Sequence, residues 1–349
     1  MKWTIEKLRQ IALSSNIIEI GVIRPEKSEH LRKILLQRHR DQRVTAFEEQ
    51  EIERRINPAL LMPSVKTIIV ALMSYHTLQS SDVSKRPSLY GTLARCAFGT
   101  DYHRIFHSRM KEVMLELERC EPDMDWNIYV DTGPLVDRHL AATAGLGFFG
   151  RNNCFIHPRY GSFIVIGYAL TNLELDEQMY ASQPYEKCGE CGTCQSSCPV
   201  NALKIPFQID QNRCLSHRLQ QKGMMREKTL KETGVMMYGC DICQDVCPHN
   251  RGVPSTPEPL FEYPEEGKWL DLPELLQMSN REFNRRFRSR SFGWRGRRVM
   301  QRNALKSLGN LGEEEALSYI EAFLEDQRNE IRWTAQWAAR QIKLLEEKK

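Results

Sequence analysis

Between Cys188 and Cys247 the chain sets eight of its eleven cysteines within 60 residues. No other feature restricts its folding so tightly. The segment has little hydrophobic periodicity, so a bound metal group must supply much of its order. Disulfides are rare in reducing compartments, and such clustering points to metal rather than to a covalent framework. The first run is Cys188-x2-Cys191-x2-Cys194-x3-Cys198-Pro199, and the second is Cys240-x2-Cys243-x3-Cys247-Pro248. This is the spacing of two-cluster bacterial ferredoxins, in which the fourth cysteine of each run ligates the other cluster. Three thiolates spaced by two residues wrap one face of a cubane, and the fourth faces its neighbour.

The second run lacks a first ligand, because Met237 stands in its place. Cys214, 26 residues before Cys240, is the substitute. The assignment is therefore Cys188, Cys191, Cys194 and Cys247 to one [4Fe–4S] cluster, and Cys198, Cys214, Cys240 and Cys243 to the other. His217 is the alternative to Cys214, although histidine is an uncommon cubane ligand. Two four-cysteine zinc sites are the competing reading, but zinc favours paired CxxC motifs. Adjacent cubanes pass electrons singly, which implies an acceptor where the chemistry is done.

A length of 349 residues suggests two or three domains. Residues 1–175 read as a mixed α/β domain. Strands are expected at Ile17–Ile23, Thr67–Met73, Trp126–Val130 and Phe163–Leu170, from their β-branched and apolar runs. Helices are expected at Thr4–Leu13, Asp101–Cys120 and Leu135–Ala144, the last stopped by Gly145 and Gly147. Residues 176–255 hold the clusters. Residues 253–268, rich in Pro and Glu, read as a linker, and everything from Leu270 reads as helical, with paired antiparallel helices of the HEAT type over 256–349. The amphipathic start excludes a signal peptide, and no uncharged run approaches the roughly 20 residues that span a bilayer. The expectation is a cytoplasmic protein with no membrane segment.

Outside the clusters the densest special chemistry is Tyr129-Val130-Asp131-Thr132-Gly133-Pro134. An aspartate at a strand end before a Gly-Pro turn can project into a cleft. Partial desolvation would raise its pKa and make it a proton donor near neutrality. The plainer reading has Asp131 or Thr132 capping the next helix. The segment Ala144-Gly145-Leu146-Gly147-Phe148-Phe149-Gly150-Arg151-Asn152-Asn153 follows a helix, so it is no dinucleotide fingerprint. Its three glycines would let a bulky ligand approach the backbone. Cys96, Cys120 and Cys154 read as inert buried thiols, with Cys96 and Cys154 also candidates to face a pocket.

Net charge is only +4, yet nine arginines and one acid occupy Arg281–Arg302, interleaved with Phe283, Phe287, Phe292 and Trp294. Arginine grips phosphate bidentately and stacks on bases. A solvated helix face over buried Phe283 and Phe287 is the bland alternative. The charge excess favours nucleic acid, with backbone contacts from Arg285, Arg286, Arg288, Arg290, Arg295, Arg297 and Arg298.

The ferredoxin run, the displaced Cys214, the VDTGPLVDRHLAATAGLGFFGRNN segment, the FGTDYH turn and the helical tail together resemble the epoxyqueuosine reductase family over nearly the whole chain. The resemblance implies an α+β protein: a nitroreductase-like cobalamin-binding domain over 1–175, a ferredoxin-like two-cluster domain over 176–255 and a helical HEAT-like tRNA-binding domain over 256–349. It implies reduction of epoxyqueuosine to queuosine in a tRNA anticodon, the last step of queuosine synthesis. Electrons would pass through two [4Fe–4S] clusters to cobalamin, with Asp131 as proton donor. It places the cobalamin among Cys96, Asp131, Gly147, Gly150, Asn153, Gly161, Ser162 and Ser216, and puts Lys222 at the tRNA. A flavodoxin- or ferredoxin-like reductant and a monomeric enzyme are further expectations. Thr100 departs from the family's usual Arg in that turn and receives no role. His139, inside a helix and without a following glycine, is rejected as a cobalt ligand. Two rivals share parts of the pattern: a corrinoid reductive dehalogenase acting on a small molecule, and a non-catalytic ferredoxin-type carrier.

Overall fold

The computed structural model describes residues 3–77, 86–180, 188–262 and 268–347. The first layer is an antiparallel sheet in the order β1 (Glu19–Ile23), β2 (Thr67–Ser74), β7 (Ile164–Thr171) and β4 (Trp126–Val130). Every residue of β2 is buried, which explains its unbroken apolar run: both faces of the sheet are covered. On one face Ile69, Ala71 and Met73 meet the helices Ile5–Ser14 and Tyr102–Cys120. On the other, Ile68, Val70 and Leu72 meet Leu140 and Ala141 of the helix Asp137–Thr143. The helix Tyr102–Cys120 starts at Asp101, whose side chain accepts from His103 N at 3.1 Å, and buries Ile105, Phe106, Met110, Val113, Met114 and Leu117 on one stripe.

A second sheet joins the chain's three segments. β3 (Tyr90–Leu93) pairs in parallel with β8 (Met236–Tyr238) from the cysteine region and antiparallel with β9 (Trp269–Asp271) from the start of the tail. One continuous core therefore runs from Leu89 and Phe98 through Leu219 and Met237 to the helices Gly296–Leu311 and Asn329–Glu346. The strand at β9 departs from the all-helical expectation for the tail.

The expected linker is also tied down where it is described. Thr256 N donates to His76 O at 2.6 Å, and fully buried Glu258 accepts from Arg109 Nε at 2.7 Å and Asn16 Nδ2 at 3.0 Å. Composition read the Pro/Glu stretch as solvated, whereas an ion pair and backbone bonds strap it to the first sheet.

Helix Gly296–Leu311 is buried on nearly all sides, polar residues included. Arg302 donates to the carbonyls of Leu219, Gln221 and Gly223, and Asn303 to those of Leu219 and Met237. Lys306 donates to Gly234 and Met236. Burial pushes the Arg302 guanidinium down to about 10. These side chains satisfy carbonyls at the end of the helix Leu215–Gln220, in the loops that follow and in β8, and so fix the stretch between Cys214 and Cys240. No helix among the described residues is long and apolar enough to cross a membrane.

Candidate active site

β4 ends at Val130, and Asp131 turns the chain with φ +54°. This left-handed conformation is unfavourable for a residue with a Cβ, and it persists only where the surroundings hold it. Here the hold is explicit. Asp131 N donates to Asp137 Oδ2 at 3.0 Å, and its own Oδ2 accepts from Tyr102 Oη at 2.6 Å. His103 Nε2 stands 3.6 Å from the same Oδ2. The helix Asp137–Thr143 has no side-chain cap, so capping by Asp131 or Thr132 is excluded.

Protein packs closely around Asp131, yet 60% of its side chain is reachable from solvent. Burial pushes its carboxyl up, but hydrogen bonding to His103 and Tyr102 outweighs burial and holds it below its ordinary value. This reverses the expectation that desolvation would raise it. The proton lies next door. Burial works against charge on His103, yet its contacts with Asp101 (Nδ1 to Oδ1, 2.7 Å) and Asp131 prevail and push it up to about 9. Asp137, beneath Asp131, is pushed well up, first by burial and then by the Asp131 charge. His103 Nε2 is buried and keeps only the longer 3.6 Å contact with Asp131, whereas Asp137 Oδ1 is buried with no hydrogen-bond partner among the described residues.

Cys96 is half-buried beside this group, and burial followed by the charges of Asp241 and Asp131 pushes its thiol up. Arg95 anchors that turn to the cluster segment through Asp241, with its N–H donating to Oδ2 at 2.7 Å. Cys154 reaches Cys243 with its side chain, and Asn152 Nδ2 donates to Cys243 O at 3.4 Å. One of the three extra thiols thus lies against a predicted cluster ligand, a contact that spacing alone does not reveal. Cys120 is exposed at its helix end, contrary to the expectation of burial.

The glycine segment forms the hairpin β5 (Phe148–Phe149) and β6 (Phe155–Ile156). A Cβ at Gly147 would lie 2.2 Å from Ile156 O, so this glycine closes the hairpin itself. Gly150 packs on Asn152 in the same way. Gly161, at φ +65°, leaves room for Asn250, which also receives Ser162 N at 2.7 Å and donates to Ser162 Oγ at 2.9 Å. These positions join the catalytic sheet to the cluster segment. Asn153 receives the Arg138 guanidinium on its carbonyl. Ser216 is half-buried on the helix Leu215–Gln220, and Lys222 is exposed on the loop that Arg302 holds.

The thiols gather in one region, with Cys243 within reach of both expected groups. Cys194 lies among Cys188, Cys191, Cys243 and Cys247, whereas Cys214 and Cys240 both approach Cys243, with Cys198 beside Cys214 and Cys243. Cys191 is the exposed member of the first group. No three His, Cys, Asp or Glu side chains among the described residues have the close spacing of a single-ion site.

The arginine stripe is divided in its use. Arg286 pairs with Glu274, Arg298 with Glu330, and Arg290 donates to Phe98 O. Arg295 stacks on Phe47 and Trp294, and Arg297 is half-buried. Arg285 and Arg288 are exposed, Arg285 within electrostatic reach of Glu282. Phe283, Phe287 and Phe292 are core; Trp294 is exposed.

Comparison with known proteins agrees with this geometry. Residues 55–132 match the family model "Epoxyqueuosine reductase QueG, DUF1730", and residues 187–250 match a 4Fe-4S double cluster binding domain. An epoxyqueuosine reductase of Lactococcus garvieae is 33% identical over 344 residues, 98% of this chain and 97% of the relative. A solved epoxyqueuosine reductase with a tRNA-Tyr epoxyqueuosine-modified stem loop superposes with a TM-score of 0.91 at 32% identity, covering 97% of this chain and 89% of that one. A Bacillus subtilis epoxyqueuosine reductase, captured with its catalytic aspartate loop swung out of the active site, gives 0.90 at 31% identity over 97% and 90%.

Proposed function

This chain belongs to the epoxyqueuosine reductase family and is an oxidoreductase with a double [4Fe–4S] domain; we propose that it reduces epoxyqueuosine in a tRNA anticodon with Asp131 as the proton-delivering group. The relative solved with a modified tRNA stem loop supports that substrate. The observation that carries the role is Asp131 itself: left-handed, open to solvent, and flanked by Tyr102 Oη at 2.6 Å and the His103 ring. A mobile aspartate loop in the Bacillus subtilis relative fits the same reading.

Conversion of the epoxide to an alkene consumes two electrons and two protons and releases water. Cobalamin, when bound, supplies the reducing chemistry at carbon, and the two clusters supply electrons one at a time. Buried, unpaired Asp137 Oδ1 beside Asp131 and the half-buried Cys96 thiol are the chain's own groups that would face such a cofactor, and the resemblance adds Gly147, Gly150, Asn153, Gly161, Ser162 and Ser216 to that set. The chain's own residues handle the protons. His103 is charged at neutral pH, with Asp101 fixing its Nδ1–H and leaving Nε2 toward Asp131. A proton passed from His103 to Asp131 Oδ2 is positioned for the departing oxygen, and Tyr102 steadies the carboxylate between transfers. The charged His103 thus replaces a raised Asp131 pKa as the proton store.

Exposed Cys191 brings the first cluster near the surface, where a flavodoxin- or ferredoxin-like donor can reach it. A tRNA substrate fits an enzyme of the cytoplasm. The test is anaerobic reconstitution with iron, sulfide and cobalamin, followed by mass analysis of the nucleosides from a modified stem loop. Asp131→Asn should bind the stem loop normally and lose about 10²–10⁴-fold in turnover. Full turnover in that variant defeats the role.

A further inference from the structure

Phe47, His217, Trp294 and Arg295 come from three distant stretches of the chain and meet at one place. The Phe47 ring lies 5.1 Å from His217 and 5.8 Å from Trp294, both edge-on. The Arg295 guanidinium sits 4.2 Å over Trp294 and 5.2 Å over Phe47. The cluster is not core: Trp294 is 55% and Phe47 46% exposed. Single exposed aromatics are ordinary, whereas a converging set rimmed by charge marks an interaction site.

Its position gives the occupant. Trp294 Nε1 donates to Tyr238 Oη at 3.1 Å, and Tyr238 lies within electrostatic reach of Cys96, Asp131 and Asp101. His217 lies on the helix that begins just after Cys214. The patch is therefore linked through Tyr238 to the Asp131 group. A nucleotide that reaches Asp131 has to leave the base stack of its loop, and the adjoining base then loses a stacking partner. Exposed aromatic faces with arginine on top replace such a partner in single-stranded RNA recognition. Cation–π contact already orders Arg295 over the rings, leaving its charge beside the phosphates. Arg288, Arg285 and Lys222 are exposed and give the cationic surroundings that the same backbone requires.

We propose that Phe47, Trp294 and Arg295 form a stacking platform for the unmodified nucleobase next to the nucleotide that reaches Asp131. This deepens the tRNA reading and rests on it. An electron-donor protein is the competing occupant, but donors that dock on clusters do not require an aromatic face linked to the Asp131 group.

The test uses the cluster-loaded full chain and fluorescently labelled anticodon stem loops, with anisotropy as readout. One loop is intact, and two others carry an abasic site 5′ or 3′ of the target nucleotide. Trp294→Ala should weaken the intact loop by at least about tenfold, while Trp294→Phe restores most of the affinity. One of the two abasic loops should bind wild type and Trp294→Ala equally, since it has no base for the platform to hold. Wild-type affinity in Trp294→Ala, or an equal loss on all three loops, overturns the platform. So does a variant that binds RNA normally but accepts electrons slowly from a reduced flavodoxin. Wild type that ignores every stem loop overturns the tRNA reading itself, which keeps the two failures apart.

Discussion

Asp101→Asn removes one charge while sparing the helix. Asn is as good an N-cap as Asp, so the bond from His103 N that starts Tyr102–Cys120 is retained. What changes is His103, which two carboxylates lift from 6.5 to about 9 against the effect of burial. Without the 2.7 Å contact to Asp101, the more distant Asp131 is the remaining support, and the value should return toward 6.5. At pH 8 the charged fraction then falls from about 0.9 to about 0.03, a loss of about 30-fold; at pH 6 it falls by less than about 1.5-fold. If His103 is the proton store, single-turnover reduction should follow those ratios: near wild type at pH 6 and about 30-fold slower at pH 8. Stability should behave in the same direction. A raised histidine pKa stabilises the fold fully below 6.5 and loses that contribution as pH rises through about 9. The wild type should therefore exceed the variant by on the order of 2 kcal/mol at pH 6, after discounting for a side chain that is 30% exposed, and the gap should close above pH 9. Equal rate losses at pH 6 and pH 8 would refute the reasoning, because they would mean that Asp101 acts through geometry and not through the charge on His103.

Two further outcomes are expected. Arg302→Met strands the carbonyls of Leu219, Gln221 and Gly223 and frees the loop that follows Cys214; iron and sulfide assays should show one cluster per chain, about four irons rather than about eight. Reversing Arg285 and Arg288 together to Glu should weaken stem-loop binding and lower the salt-dependence slope by about two, with no change in thermal midpoint, whereas Arg298→Glu should lower the midpoint by breaking the pair with Glu330.

Much of this arrangement is legible in residue order, because its signals are local. β4 ends at Val130 as its apolar run does, and the helix Tyr102–Cys120 follows the 3.6-residue period with an Asp cap. The gathering of the cysteines follows from loop spacing, whereas the place of Cys243 between the two sets does not. What escapes is pairing across long separations. β3, β8 and β9 are four, three and three residues long, too short to carry a period, and Gly91 in β3 makes way for Met237 rather than for a turn. Glu258 reads as solvent-loving until Arg109, on a different element, is seen to neutralise it. The arginine stripe has the right composition for RNA, but only contact partners separate Arg286, Arg290 and Arg298, which hold the protein together, from Arg285 and Arg288. The state of Asp131 is a matter of neighbours, set by His103 and Tyr102 more than by depth.

The braid of β3, β8 and β9 has a bearing on biosynthesis. As the chain leaves the ribosome, Tyr90–Leu93 must wait, with both edges unpaired, until the segments carrying Met236–Tyr238 and Trp269–Asp271 have followed. The carbonyl grips of Arg302, Asn303 and Lys306 arrive later still, and they hold the stretch between Cys214 and Cys240 in place. Until then the bare strand can take wrong partners, so a chain cut short before Arg302 is expected to take up less iron, although the cut lies far from the metal in sequence.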